Sequence, residues 1–212
     1  MAKIIAGAAC AVLLASCGPE RLALPEQLVD RAATCGVVAA AEARSAIPDI
    51  KQPLPFGAQG RILHHALLAG AESEEFSLEV ATAVNSRMSD LQEEITEGKW
   101  QELAPACRAA FPATTVEKIE LSADRYEAQL ACDELGDFLT NALGTQESDY
   151  SKQLSEYREL ATKLDGTLGP GLRSRAGADL ADQQKARRVA LSAAARLGSP
   201  TAVMRQCVER FG

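Results

Sequence analysis

Apolar side chains recur at helical spacing along most of this chain. The clearest run is Phe76, Val80, Val84, Met88, Leu91 and Ile95, with acids and amides between them. Steps of three and four residues place all six on one face of an amphipathic helix. Tyr150, Leu154, Tyr157, Ala161, Leu164 and Leu168 form a second stripe, and Leu28, Ala32, Cys35 and Ala39 a third. β-branched runs of strand length are missing. The pattern predicts an all-α fold.

Prolines and glycines divide it. A first helix should run from Glu26 to Ser45, opened by Pro25 and stopped at Ile47-Pro48. Pro48, Pro53, Pro55 and Gly57 mark a loop over 47–58, followed by a helix from Gln59 to Ala69 that Gly70 breaks. Ser73-Glu74-Glu75 should open a third helix and Gly98 close it; Trp100 to Phe111 makes a short fourth, with Pro105 kinking it or starting its last turn. After a Pro112–Val116 turn, Ser122 should cap a helix from Ala123 to Leu143. Gly144–Ser148 reads as a loop and Asp149–Leu168 as a long helix, ended by Gly166, Gly169, Pro170 and Gly171. Ala178 to Leu197 follows, then Gly198-Ser199-Pro200 as stop and restart, and a last helix to Phe211.

The N-terminus departs from this periodicity. Lys3 precedes an unbroken apolar run from Ile4 to Leu14, and Leu14-Ala15-Ser16-Cys17 ends it. A short positive region, an apolar stretch and small residues at a cut are the layout of a signal peptide. The run is too short to span a bilayer, which takes about 20 mainly apolar residues. Leu14-Ala15-Ser16-Cys17 resembles the lipobox of bacterial lipoprotein precursors. The resemblance implies cleavage between Ser16 and Cys17, a diacylglyceryl thioether on Cys17, and a protein held by lipid at the periplasmic face of a bacterial membrane. Gly18, where an Asp would retain a lipoprotein in the inner membrane, favours the outer one. Residues 1–16 are then the signal peptide and 17–25 a lipidated tether; a cut by the ordinary signal peptidase is the alternative.

Charge and cysteines narrow what remains. The net charge is −7 and aromatics are 4%. An acidic chain without a basic stripe excludes nucleic acid as a partner, because that binding rests on phosphate neutralisation. Cys10 falls inside the signal peptide, and with Cys17 assigned to lipid four cysteines are left: Cys35, Cys107, Cys132 and Cys207. An even number in an exported chain reads as two disulfides, with three possible connectivities. Their spacing excludes a Cys-x-x-Cys redox motif, a c-type haem site and a zinc knuckle.

The plan of helices restarts half-way. Leu91, Gly98, Cys107 and Phe111 match Leu191, Gly198, Cys207 and Phe211, and Cys35 matches Cys132. The expected architecture is a disulfide-stapled helical bundle, with residues 26–116 and 117–212 as two similar units that share one body or stand as two. A repeat favours Cys35–Cys107 and Cys132–Cys207 over the nested pairing (Cys107–Cys132 with Cys35–Cys207) and the crossed one.

Candidates for chemistry are sparse. His64 and His65 are the two histidines; adjacent helical residues diverge by about 100°, so a partly exposed helix face is expected rather than a metal site. Glu72, Glu74, Glu75 and Glu79 lack a calcium-loop spacing and suit the first turn of a helix. Arg173, Arg175, Lys185, Arg187 and Arg188 lie among Asp179 and Asp182, as on a solvated face. Trp100 suggests a partner or ligand surface, or a core residue packed over the nearby disulfide. No catalytic motif is present, and no metal or cofactor is expected. The expectation is a lipid-anchored envelope protein that acts as an interaction or assembly module. The alternative is a helical binder of an apolar or amphipathic small molecule in a cavity lined by Phe76, Met88, Leu154 and Leu164.

Overall fold

A computed structural model describes residues 23–212, and the expectations for Ser16, Cys17 and the rest of the signal region fall outside them. The described residues form an all-α bundle of eight α-helices: α1 (Leu28–Ser45), α2 (Phe56–Gly70), α3 (Leu78–Glu97), α4 (Trp100–Ala110), α5 (Arg125–Leu143), α6 (Glu147–Ala176), α7 (Leu180–Leu197) and α8 (Pro200–Phe211). α1 packs on α2, α3 and α4, while α5 packs on α6, α7 and α8; α2 also lies against α7 and α8.

Two disulfides staple the bundle. Cys35 on α1 is bonded to Cys107 on α4, and Cys132 on α5 to Cys207 on α8. These are the pairs that a repeat favours. The bridged cysteines are 72 and 75 residues apart, so each bond closes a long loop of the unfolded chain. The main core gathers around them: Leu67, Leu135, Leu139, Val203 and Met204 are fully buried.

Several helix boundaries differ from the sequence pattern. α6 does not break at Gly166, Gly169, Pro170 and Gly171 but runs on to Ala176. Leu160, Leu164, Leu168 and Leu172 are all buried along one face, and Pro170 is exposed on the other. Burying such a leucine contributes about 2 kcal/mol, enough for the stripe to offset about 3 kcal/mol for an internal proline and about 1 for each glycine. The irregularity lies instead at Tyr150, whose φ of −124° and ψ of 22° leave the helical region. The expected loop before it is a 3-10 turn, Gly144–Gln146, that leads straight into α6.

α2 starts at Phe56, not Gln59. Phe56 packs on Tyr150 and Tyr157, with ring centroids 5.3 and 5.9 Å apart, and the Tyr150 hydroxyl donates to the Leu54 carbonyl at 2.7 Å. α3 begins after Ser77, whose side chain accepts from the Val80 N–H. Phe76 therefore precedes the helix rather than lying on its stripe, and is buried against Phe138. The segment before it is held from α7: Arg196 donates to the Ala71 and Ser73 carbonyls, and Ser192 to Ser73 at 2.9 Å. The cap of α5 is Asp124, which accepts from the Glu127 N–H, and not Ser122.

Candidate functional site

The largest of the described cavities is an open groove of about 770 Å³ between α5 and α7, closed at one end by the last turn of α6. Leu121, just before α5, with Tyr126, Leu130 and Ala131 on it, forms one side, and Ala186, Val189, Ala190, Ala193 and Leu197 the α7 side. Ala186, Ala190 and Ala193 recur at steps of four and three, so the helix turns a small-residue stripe towards the opening. Small side chains keep α7 from filling the space. The charged lining residues Glu120, Glu127, Arg175, Asp182 and Lys185 are all exposed, so the walls are apolar and the rim is charged.

Tyr126 shapes the end of the groove. A side chain at Gly171 on α6 would lie 2.2 Å from the tyrosine ring, so the ring packs directly on the α6 backbone. The Arg175 guanidinium sits 4.6 Å from the ring centroid and pairs with Asp124 at 2.9 Å. The Tyr126 hydroxyl is buried without a protein partner. Lys185 on the opposite rim pairs with Glu75 at 3.4 Å. Glu127 accepts from the Ser122 hydroxyl at 2.9 Å, and among the described residues no cation pairs with it.

The other sequence candidates scatter. Arg188 joins Lys185 on Glu75, whose pKa is lowered, first by the Arg188 hydrogen bond. That accounts for one member of the acidic cluster, and among the described residues no group of three or more His, Cys, Asp or Glu side chains is placed to hold a metal. Arg187 instead reaches α5, where it bonds to Glu134 and, at 3.2 Å, to Asp133. Burial and the neighbouring Asp137 and Glu134 charges raise Asp133 to about 6, against the pull of Arg187.

His64 and His65 are not on a partly exposed face. Both rings are buried, because α2 is covered by α1, α3, α7 and α8. His64 Nε2 donates to the Ala195 carbonyl at 2.7 Å, while His65 meets Phe111 edge-on at 5.1 Å between ring centroids. Neither Nδ1 has a protein partner. Burial lowers His64 to about 4 and His65 to about 3, the adjacent ring adding to the effect at His65.

Trp100 is half-buried and lines a smaller depression of about 360 Å³ with Asp30, Thr34, Arg87, Leu91 and Ile95. The Cys35–Cys107 bond lines a different one, which it shares with His65. The residues expected to share a ligand cavity do not gather: Phe76, Leu154 and Leu164 are packed in the core, whereas Met88 lines a surface depression with Val37 and Ile62. The α5–α7 groove was not foreseen. Its signal was nonetheless in the sequence, in the alanines at 186, 190, 193 and 194 on one helical face. No family model, curated protein or solved structure matches this chain.

Proposed function

We propose that this protein is an exported lipoprotein, anchored through Cys17, whose helical body docks a partner protein in the α5–α7 groove. The observation that carries the docking reading is the groove itself: apolar walls some three helical turns long, a charged rim and a volume of about 770 Å³. Two disulfides favour an oxidising compartment outside the cytoplasm. Among the described residues no helix is long and apolar enough to cross a membrane; the attachment proposed is the lipid on Cys17.

A repeat supports the architecture. α5 begins 97 residues after α1, the separation of Cys132 from Cys35, and α8 begins 100 after α4, the separation of Cys207 from Cys107. We therefore read the chain as two similar four-helix units, with an α6 twice the length of α2 as the main difference.

The groove also has a size that small apolar ligands use, and a helical carrier is the second reading. Its weakness is chemical. A small molecule needs a few polar groups to orient it, and here the charged ones are spent at the exposed rim. The test is site-specific photo-cross-linking in the producing cell, with a benzophenone amino acid at Ala193 in the groove or at exposed Ile50 away from it. Docking predicts discrete protein adducts from position 193 and none from position 50. Adducts from neither, or the same adducts from both, would defeat it.

A further inference from the structure

Trp100 is the sole tryptophan of the chain, and the core does not absorb it. It is half-buried in a depression of about 360 Å³, with the partly exposed side chains of Leu91 and Ile95 beside it. Its indole N–H has no acceptor among the described residues and is not sealed inside the protein. A tryptophan committed to a core finds a partner for that group. An apolar ring with a free N–H suits a boundary between apolar and wet surroundings.

The chain enters the helical body at this same place. Ala23 and Pro25 line the depression with Trp100, and Leu24 packs on the main core. Cys17 stands six residues before Ala23, and six residues reach at most about 21 Å. A lipid on Cys17 therefore holds this face within about 20 Å of a bilayer surface. Ile50 is at the other end of α1, where Arg44 donates to its carbonyl at 3.2 Å; the helix between is 18 residues, or about 27 Å, long. The charges around Trp100 are balanced rather than basic. Asp30 and Glu94 line the depression with Arg87 and Lys99, Arg87 pairing with Asp30 at 2.7 Å and Lys99 with Glu102 at 3.6 Å. Glu93 and Glu97 are exposed on the last turns of α3.

We propose that the Trp100 face rests on a zwitterionic bilayer surface, with the indole at the level of the headgroups and Leu91 and Ile95 next to it. This goes beyond the anchor proposed above and rests on it. The short tether makes the contact cheap to form. It holds the face at an effective concentration on the order of 1 mM, so a patch whose own affinity is only about 1 mM is docked about half the time. Anionic lipid adds nothing to a balanced patch, and the exposed acids of α3 oppose it. The contact fixes which end of α1 faces the membrane and leaves Ile50 at the far end.

The test is tryptophan fluorescence of the lipidated protein reconstituted into phosphatidylcholine vesicles, with flotation as the check that it is anchored. A single tryptophan makes the signal that of Trp100 alone. Lipid brominated near the headgroup end of its acyl chains should remove about half of the emission, the fraction docked. The double variant Trp100→Phe/Ile50→Trp moves the fluorophore to an exposed site at the far end of α1; its emission should be unchanged by the bromines, and circular dichroism checks that it folds. Replacing most of the phosphatidylcholine by phosphatidylglycerol at low salt should weaken the quenching of Trp100. Protein that floats while Trp100 stays unquenched would overturn the inference and leave the anchor standing. So would equal quenching at positions 100 and 50, or stronger quenching on phosphatidylglycerol. Protein that carries no lipid and does not float would overturn the anchor and the inference together.

Discussion

His64 and His65 sit side by side on α2 with both rings buried, so acid must either leave them neutral at a cost or open the core to charge them. Burial holds them at about 4 and about 3, against 6.5 for a histidine in water. The unfolded chain therefore binds two protons near pH 6.5 that the folded chain refuses. The stabilisation is fully present above pH 6.5 and is lost as the pH falls towards 4 and 3. At pH 5 each histidine costs about 2 kcal/mol relative to pH 7.5, and the pair about 4, from 1.36 kcal/mol per unit over about 1.5 units. Asp133 opposes this. Its raised pKa, about 6, adds stability that is present below its unfolded value near 3.8 and lost as pH rises through 6, an opposing contribution of about 1 kcal/mol between pH 7.5 and 5. Urea unfolding of the oxidised protein at pH 7.5 and 5.0 should show a net loss of about 3 kcal/mol, and the double variant His64→Gln/His65→Gln should lose most of that pH dependence. A parent protein equally stable at both pH values would refute the reasoning. So would a double variant that keeps the full loss.

Other perturbations follow from single contacts. Cys35→Ala with Cys107→Ala should lower stability by about 4 kcal/mol in urea unfolding, because it frees a loop of more than seventy residues. Gly171→Ala should cost about 1–3 kcal/mol and lower the melting temperature, since the new methyl would overlap the Tyr126 ring. Leu139→Ala, in a fully buried site, should cost about 3 kcal/mol by the same measurement. Arg187→Met should destabilise by about 3 kcal/mol at pH 8 and less at pH 5, where Asp133 protonates and no longer needs the guanidinium.

Periodicity carried the bundle into view. Stripes such as Leu154, Tyr157 and Leu164 are local patterns, and the structure buries them as a helix face. Breaker residues misled where long-range packing outweighed them. Pro170 and three glycines argue locally for a break, but Leu164, Leu168 and Leu172 bury together only if the helix continues. Phe76 fits the α3 stripe by spacing, yet Arg196, 123 residues from Ser73, fixes the loop before it as a separate segment. His64 and His65 looked half-exposed because one helix leaves one of two neighbours facing out; α2 is covered by four others. The groove was hardest to read, because an alanine stripe signals close packing and empty space equally well. What separates the two is whether a neighbouring helix fills the stripe, which is a tertiary fact.

The central proposal is a lipid anchor outside the cytoplasm, and the intact mass of protein extracted from membranes, with and without reduction, tests it most directly. It predicts a chain starting at Cys17 with acyl groups added, which gains the hydrogens of two disulfides on reduction. A chain starting elsewhere without lipid would contradict the anchor, and a mass unchanged by reduction would contradict the oxidising compartment.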